Sequence, residues 1–299
     1  MVGSCRKVSM TACLAGALLL LCYPLLAFAE SSDRAVNDAI RARVETLQSG
    51  SDLVIQGATV ASTTVLPALY QRRDFAPVWT NPSAIKQLFD AVRNIDEDGL
   101  DPEDYHLATL EKLQTEVGSE ASVNPARTAD LDVLLTDSLV RLGYHLLIGK
   151  VDPVELDGNW NVNRTINGRD AVLALSSAIA EGSVDNLLAA VRPQHMYYRH
   201  LQNALAHYRA IAAAGGWPGV PAGPTLKSGM SDPRVIALRT RLAVTQRMPG
   251  ADAQSAQFDA ALEDAVKVFQ RQHGLAADGA VGKATLAALN IPVESRIDQ

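Results

Sequence analysis

Apolar residues recur at helical spacing along most of the chain, and this pattern predicts a mainly α-helical protein. Residues 34–47 place Val36, Ile40, Val44 and Leu47 on one face of a helix. The strongest repeat predicts a helix from Thr128 to Ile148, and its leucines are Leu131, Leu134, Leu135, Leu139, Leu142 and Leu146. Shorter helices are predicted after Asn81 or Ser83, from an Asn167 cap to Ile179, from Ser183 or Asp185 to Val191, and from His195 to Ala214.

The stretch from Leu226 to Asn290 predicts three short amphipathic helices. Their apolar faces are formed by Val235, Leu238 and Leu242, then by Leu262, Val266 and Phe269, and finally by Leu286 and Leu289. Gly274 is placed to end the second helix in the left-handed conformation, and Asp278-Gly279 is typical of a turn before the third. Residues of this kind build a compact three-helix unit.

The segment AVKVFQRQHGLAADGAVGKATLAALN, residues 265–290, resembles the type 1 peptidoglycan-binding domain. The matching residues are Ala265, Val266, Phe269, Gln270, Gly274, Leu275, Asp278, Gly279, Gly282, Thr285, Leu286, Leu289 and Asn290. The resemblance implies an accessory module that binds murein and performs no chemistry. Most matched residues specify the fold, so a binding groove would use the polar residues expected at the surface. These are Arg239, Gln270, Asp278, Lys283 and Thr285.

A second resemblance covers the preceding region. The phrases that carry it are VWTNPSAIKQLFDAV, DGLDPEDYH, LLIGKVDP with the later Trp160, and HMYYRHLQNALAHYR. They look like the N-terminal scaffold domain of large periplasmic L,D-transpeptidases, in which a peptidoglycan-binding domain and a catalytic cysteine domain follow. Residues 35–290 resemble the first two parts in that order. The catalytic signature, H-x-G followed later by S-x-G-C, is absent from the sequence.

The expected organisation has five parts. Residues 1–29 form a signal peptide, since Arg6 and Lys7 precede an apolar run from Leu14 to Leu26 and an A-x-A site at Ala27-Phe28-Ala29. Residues 30–217 form the helical scaffold domain, 218–225 a Gly/Pro linker, and 226–291 the peptidoglycan-binding domain. Residues 292–299 are expected to lead to an absent catalytic domain. The signal predicts export to the periplasm, with no membrane span after cleavage.

Charge and cysteine content exclude several classes of function. Cleavage after Ala29 removes Arg6 and Lys7 and no acidic residue, which changes the formal net charge from −6 to −8. Such an acidic protein does not suit nucleic acid or anionic membranes. The three cysteines, Cys5, Cys13 and Cys22, all precede the cleavage site. A mature chain without cysteine forms no disulfide, no thiolate metal site and no cysteine nucleophile.

Two further clusters allow alternative interpretations. Asn94, Asp96, Asp98 and Gly99 have calcium-loop spacing, but Tyr105 occupies the position of the bidentate Glu. The favoured interpretation is a turn at Gly99 followed by a helix start with Asp101 as N-cap and Pro102 after it. A second cluster, His195, His200 and His207, suggests a metal site, but no carboxylate or cysteine completes a typical ligand set. We therefore expect no metal, no cofactor and no catalytic residue.

The sequence thus predicts a periplasmic peptidoglycan-binding protein, the non-catalytic portion of an L,D-transpeptidase-type cross-linking protein. The main alternative is part of an active L,D-transpeptidase whose catalytic cysteine domain is supplied by a separate or missing segment. A metal-dependent murein hydrolase using the three histidines, and a scaffold that recruits cell-wall synthases, are further alternatives. The expected partners are peptidoglycan and either those synthases or a separate catalytic domain. Recognition of glycan or of stem peptide stays open.

Overall fold

A computed structural model describes residues 15–120, 122–151, 170–246 and 254–299, with side chains from residue 32 onward. The chain divides into two compact units, Met1–Gln194 (the first unit) and His195–Gln299 (the second unit). Both units are built from helices, which confirms the prediction of a mainly α-helical protein. Within the described residues, no helix combines the length and the hydropathy that a membrane span needs.

Seven described helices form the first unit. They are α1 (Ala15–Gln48), α2 (Val65–Gln71), α3 (Pro82–Arg93), α4 (Leu107–Ser119), α5 (Pro125–Leu147), α6 (Ala171–Glu181) and α7 (Val184–Val191). A short antiparallel pair, β1 (Val54–Ile55) and β2 (Ala58–Thr59), lies between α1 and α2, with Val54 opposite Thr59. Two 3₁₀ turns, Ile95–Asp98 and Pro102–Tyr105, connect α3 to α4.

Helix α5 forms the centre of the first unit. It packs against α1, α2, α3, α4 and α7. Its leucines at 131, 134, 135, 139, 142 and 146 are all buried, as their helical spacing predicts. The apolar face of α1 is also confirmed, since Val36, Ile40, Val44 and Leu47 lie in the same core. Each fully buried leucine contributes about 1.5–3 kcal/mol of transfer free energy relative to exposure.

Short polar side chains begin several of these helices. Asn81 accepts a hydrogen bond from the Ser83 N–H at 2.9 Å, and Asp101 accepts one from Glu103 at 3.0 Å. Both assignments confirm the predicted N-caps, although Asp101 precedes a 3₁₀ turn. The predicted cap Asn167 and Trp160 lie outside the described residues. Helix α6 begins instead after Asp170, whose carboxylate accepts from Val172 N at 3.0 Å.

The second unit contains five described helices. They are α8 (Met196–Ala213), α9 (Arg234–Thr245), α10 (Ala260–Gln272), α11 (Lys283–Leu289) and α12 (Val293–Ile297). Helices α9, α10 and α11 supply most of one core, and the residues predicted for it from their spacing are buried or packed against it. Backbone pairing between Leu226 and Val281 closes the unit on one side. Helix α8 packs against α12.

The turn between α10 and α11 depends on glycine. Gly274 ends α10 with φ of +67°, as predicted, and Gly279 has φ of +76°. A Cβ atom at Gly279 would lie 2.7 Å from Glu263 Cγ and 2.9 Å from Lys267 Cε. Any other residue would therefore strain the backbone and also displace two side chains of α10.

Candidate functional site

Gln270 organises the turn that carries several of the predicted binding residues. Its amide nitrogen donates to Asp278 Oδ1 at 2.8 Å, to the Ala280 carbonyl at 3.0 Å and to Thr285 Oγ1 at 3.1 Å. Its amide oxygen accepts from Gly279 N at 2.9 Å. The Gln270 side chain is 1% exposed. This arrangement fixes the turn against both helices and leaves Gln270 itself inaccessible to a large ligand.

Arg239, a residue of α9, supports the segment that precedes α10 in a similar way. Its guanidinium donates to the Gln257 carbonyl and to Asp259 Oδ2, both at 2.6 Å, and its Nε donates to the Ser255 carbonyl at 3.2 Å. Asp259 in turn caps α10 by accepting from Leu262 N at 2.8 Å. That backbone N–H, followed by Arg239, lowers the pKa of Asp259. Arg239 therefore holds the segment before α10 in place.

The expectation that all five predicted residues are exposed is wrong for three of them. Arg239, Gln270 and Thr285 are buried, with relative exposures of 1%, 1% and 5%. The physical reason is that each finds hydrogen-bond partners inside the unit that offset most of the loss of water, although the buried Nη1 of Arg239 has none among the described residues. Only Asp278 and Lys283 are exposed. A direct role in binding stays a prediction for all five residues.

The exposed surface beside this turn carries both signs of charge. The Ala280 N–H and the Gln270 amide lower the pKa of Asp278, and the charge of Lys227 adds to the effect. Asp278 is thus ionised at neutral pH. Lys227 is exposed on the paired segment next to Val281, and Lys283 begins α11 directly after the turn. Lys227 was absent from the sequence-based set because the bridge that brings it to this surface has no signal in the local sequence.

Residues 217–220 and 290–291 meet at a second polar arrangement in this unit. Asn290 Oδ1 accepts from Val220 N at 2.8 Å, and Asn290 Nδ2 donates to the Val220 carbonyl at 2.9 Å. Trp217 Nε1 donates to the Ile291 carbonyl at 2.9 Å. The Arg241 guanidinium lies 3.9 Å from the Trp217 ring. Val220 is 3% exposed, so part of the predicted linker 218–225 is packed into the core.

Arg241 is the most deeply buried cation near this arrangement, and Nε donates to the Leu289 carbonyl at 2.8 Å. Burial lowers the pKa of Arg241 to about 10, so the side chain keeps its charge at neutral pH. A charged, buried guanidinium needs acceptors and an aromatic face, and Leu289 and Trp217 provide them. Arg241 is thus a structural residue that joins α9 to the end of α11.

Two aspartates of α5 form the polar centre of the first unit. Asp132 accepts from Val78 N, Trp79 N and the Tyr70 hydroxyl at 2.7–3.0 Å, and burial raises its pKa. Asp137 accepts from Ala61 N at 2.9 Å and from Ser62 N at 2.8 Å. Its second oxygen lies 3.0 Å from His106 Nε2 and 3.2 Å from Arg141 Nη2. The sequence analysis singled out neither aspartate, because both lie between the leucines whose spacing predicts α5.

The structure gives other roles to the two clusters considered as metal sites. Within the described residues, no group of three His, Cys, Asp or Glu side chains is placed to hold a metal ion. His195 caps α8 by accepting from Tyr197 N at 3.3 Å, and His200 and His207 are exposed. In the acidic turn, Asp98 pairs with Arg192 at 2.8 Å and Asp104 pairs with Lys150. Asp98 and Asp104 are thus paired with cationic side chains of the chain itself.

Comparison with known families identifies two regions of the chain. The model described as "Scaffold domain" matches residues 64–205, and the model described as "Putative peptidoglycan binding domain" matches residues 231–289. The comparison with curated proteins found no match. The second match spans helices α9, α10 and α11 with the turn held by Gln270. The chain therefore contains a scaffold domain followed by a peptidoglycan-binding domain of type 1.

Proposed function

We propose that the protein is a periplasmic peptidoglycan-binding protein, the scaffold and murein-binding portion of an L,D-transpeptidase-type cross-linking protein. The observation that carries this proposal is the match of residues 231–289 to a peptidoglycan-binding domain, over a unit with a closed core. The scaffold match precedes it in the chain, which is the order that the resemblance to L,D-transpeptidases implies. The signal-peptide pattern of residues 1–29 supports export.

The murein contact is proposed at the surface formed by Lys227, Asp278 and Lys283. Stem peptides of murein carry free carboxylates and amines, so two cations and one carboxylate offer complementary charges. Arg239, Gln270 and Thr285 contribute by holding the turn and the segment before α10 in position. Because charges at an exposed surface add little affinity each, the expected binding is weak, on the order of millimolar.

Sedimentation with purified sacculi tests this surface. The chain from Glu30 to Gln299 is expected to pellet with sacculi, and a Lys227→Ala/Lys283→Ala variant is expected to bind about 3- to 10-fold more weakly, equivalent to ~1 kcal/mol. Lys86→Ala is the matched control, since Lys86 is an exposed lysine of the first unit. Equal loss in the control would indicate unspecific charge effects. Full retention of the double variant would contradict the proposed surface.

A non-enzymatic role for this chain is the second part of the proposal. An L,D-transpeptidase forms a thioacyl intermediate on an activated cysteine, and no cysteine follows residue 22. Neither matched region is a catalytic domain. Incubation with tetrapeptide-rich murein should yield neither 3–3 cross-links nor shortened stem peptides in mass spectra. Turnover that persists through purification would contradict this role.

The alternative of an active L,D-transpeptidase with a separate catalytic domain is favoured by the scaffold match alone. Reading the coding sequence beyond codon 299 tests it, since a contiguous frame with the cysteine signature would support it. Export is tested independently by N-terminal sequencing of the protein from a periplasmic fraction. The expected first residue is Glu30, and a chain that still begins at Met1 would contradict cleavage.

A further inference from the structure

The first unit contains a cavity that is lined by residues 61–65 and by α5. It lies between the loop that precedes α2 and one face of α5, and its volume is about 460 Å³. We call it the hydroxyl cavity, after the residues that line the loop side. The loop contributes Ser62, Thr63 and Thr64, and α5 contributes Arg141, Tyr144 and His145. Its size falls within the range of small-ligand pockets, about 300–1,000 Å³.

The loop wall of the hydroxyl cavity is held in one conformation by a buried charge. Asp137 is fully buried, and it accepts hydrogen bonds from Ala61 N and Ser62 N. His106 and Arg141 bind its second carboxylate oxygen. A loop fixed by a buried carboxylate does not need to be ordered when a ligand binds, which lowers the entropy cost of association.

Hydrogen-bonding groups on both walls have no partner among the described residues. Thr64 stands at the N-cap of α2 but makes no side-chain capping bond, and the Thr63 hydroxyl is likewise unpaired there. On α5, His145 Nδ1 lies 2.9 Å from the hydroxyl of the buried Tyr105. We assign the hydroxyl as the donor in this pair, because a buried phenol hydroxyl needs an acceptor and His145 Nδ1 is the one described. With this assignment His145 carries its proton on Nε2, which can then donate to a ligand.

Charge in the hydroxyl cavity is balanced, and this decides the class of ligand. The guanidinium of Arg141 lies 3.2 Å from the Asp137 carboxylate and also donates to the Asp104 and Thr59 carbonyls. The cation that lines this cavity is therefore already paired among the described residues, and a phosphate or carboxylate would have to compete with Asp137 for it. Tyr144 instead offers a ring that is 54% exposed. Hydroxyl partners beside an exposed aromatic face suit a neutral, polyhydroxylated ring whose C–H face packs on the aromatic.

We propose that the hydroxyl cavity binds an N-acetylated amino sugar of the murein glycan strand. Thr63, Thr64 and the Nε2–H of His145 bind the sugar hydroxyl and amide groups, and Tyr144 packs on the ring. Val65 and Val140 provide an apolar surface for the acetyl methyl group. The inference rests on the proposed murein-binding function and adds a glycan contact in the scaffold domain, separate from the charged surface of the second unit.

Titration of the chain from Glu30 to Gln299 with the tetrasaccharide of N-acetylglucosamine tests the proposal by isothermal titration calorimetry and amide chemical shifts. We expect shifts at residues 62–65 and 144–145. Tyr144→Ala is expected to weaken binding at least fivefold, and Thr64→Val at least twofold. Tyr197→Ala is the matched control, because Tyr197 is a 67% exposed tyrosine of the second unit, and its affinity should equal that of the wild type.

Each outcome has a defined meaning. Absence of tetrasaccharide binding, or equal affinity of Tyr144→Ala and wild type while both remain folded by circular dichroism, overturns the inference. Shifts at residues 62–65 caused by a stem peptide and not by the sugar also overturn it. Failure of the general murein function is distinguishable, because it appears as loss of sacculus sedimentation in the wild-type chain. If the chain still sediments with sacculi but does not bind the tetrasaccharide, only the proposed glycan site is contradicted.

Discussion

The two units bury their polar groups in opposite ways. The first unit buries acceptors: Asp132 and Asp137 project from α5 and receive backbone N–H groups from residues 61–62 and 78–79. The second unit mainly buries donors: Arg239, Arg241 and Gln270 give hydrogen bonds to backbone carbonyls. The difference follows from which backbone groups the irregular segments leave unpaired.

A loop that approaches the side of a long helix presents free N–H groups, and a short carboxylate from that helix satisfies two or three of them. Carbonyls at the ends of short helices and in the segments between them lie farther away, so a long arginine or glutamine side chain is needed. In both units the buried polar residue fixes an irregular segment, which regular backbone pairing cannot do. Such buried polar residues therefore act mainly by fixing the position of a loop, and less through contact with a ligand at the surface.

The largest effect is expected from Asp137→Ala in the first unit. The substitution leaves two backbone N–H groups, His106 and Arg141 without their shared acceptor. Removing one member of a buried ion pair costs about 3–5 kcal/mol of unfolding free energy. Urea denaturation measures it, with Asp90→Ala as control, because the partly exposed Asp90–Lys86 pair is worth only about 0–1 kcal/mol. Equal effects of the two substitutions would remove the distinction between buried and exposed acids.

Gln270→Ala tests the donor side of the comparison. It leaves the Gly279 N–H unpaired in a buried turn and the Ala280 carbonyl with only a 3.4 Å contact to Thr285 Oγ1, so the second unit should lose about 2–3 kcal/mol. Gln272→Ala, an exposed position of the same helix, serves as control and should change stability little. Thermal unfolding followed by circular dichroism distinguishes them. A stable Gln270→Ala variant with weaker sacculus binding would show that Gln270 contacts the ligand directly.

Acid should weaken the first unit through Asp137. Burial alone would raise the pKa of Asp137, but hydrogen bonds from His106 and Ser62 and the charge of Arg141 outweigh it and lower the pKa. The stabilisation is therefore fully present above the unfolded pKa of about 3.9 and is lost as pH falls through the lower folded value. The stability difference between wild type and Asp137→Asn should be constant from pH 7 to 5 and narrow below pH ~4. Urea midpoints across that range measure it; a widening difference would reverse the sign argued here.

Asp132 has the opposite effect on how the stability of the first unit depends on pH. Burial raises its pKa, so the folded state binds the proton more tightly, and stability from this group declines as pH rises from the unfolded toward the folded pKa. Asp132→Asn should therefore make the acid sensitivity of the first unit steeper. This contrast separates two buried acceptors that both bind backbone N–H groups but differ in their side-chain partners, which are Tyr70 for Asp132 and His106 with Arg141 for Asp137.

The smallest effect is expected from Asn290→Ala. It removes two hydrogen bonds to Val220 at a partly accessible position, which should cost about 1 kcal/mol. Asn203→Ala on the exposed face of α8 is the control. Unfolding free energies of the full chain measure the difference. A null result would mean that residues 217–220 are held by Trp217 and Val220 burial alone.

Periodicity predicted α1, α3, α5 and most helices of the second unit, together with most of the core, but it did not predict α2 or α12. Val36, Ile40 and Val44 of α1, and Phe269 of α10, are buried as their spacing requires. Local turn chemistry was equally informative, since Asn81, Gly274 and the turn at Asp278-Gly279 act through backbone groups a few residues away.

Long-range partners could not be predicted in this way. Gln270 and Arg239 have the sequence character of surface residues, and only the arrangement of carbonyls around them makes burial favourable. Asp137 looks like the polar face of a helix until a loop some 75 residues earlier supplies its N–H donors. The site residues are thus the least predictable part, because their roles depend on contacts between distant segments.

The Asn290 side chain joins the point where the chain enters the bundle of α9, α10 and α11 to the point where it leaves. This has a mechanical consequence for the bundle. Tension applied through residues 217 and 291 would load the two hydrogen bonds between Asn290 and Val220. Because Val220 is buried in the same core as Phe269 and Leu289, pulling it away from Asn290 would also withdraw an apolar side chain from that core. The seam and the core are therefore expected to open together.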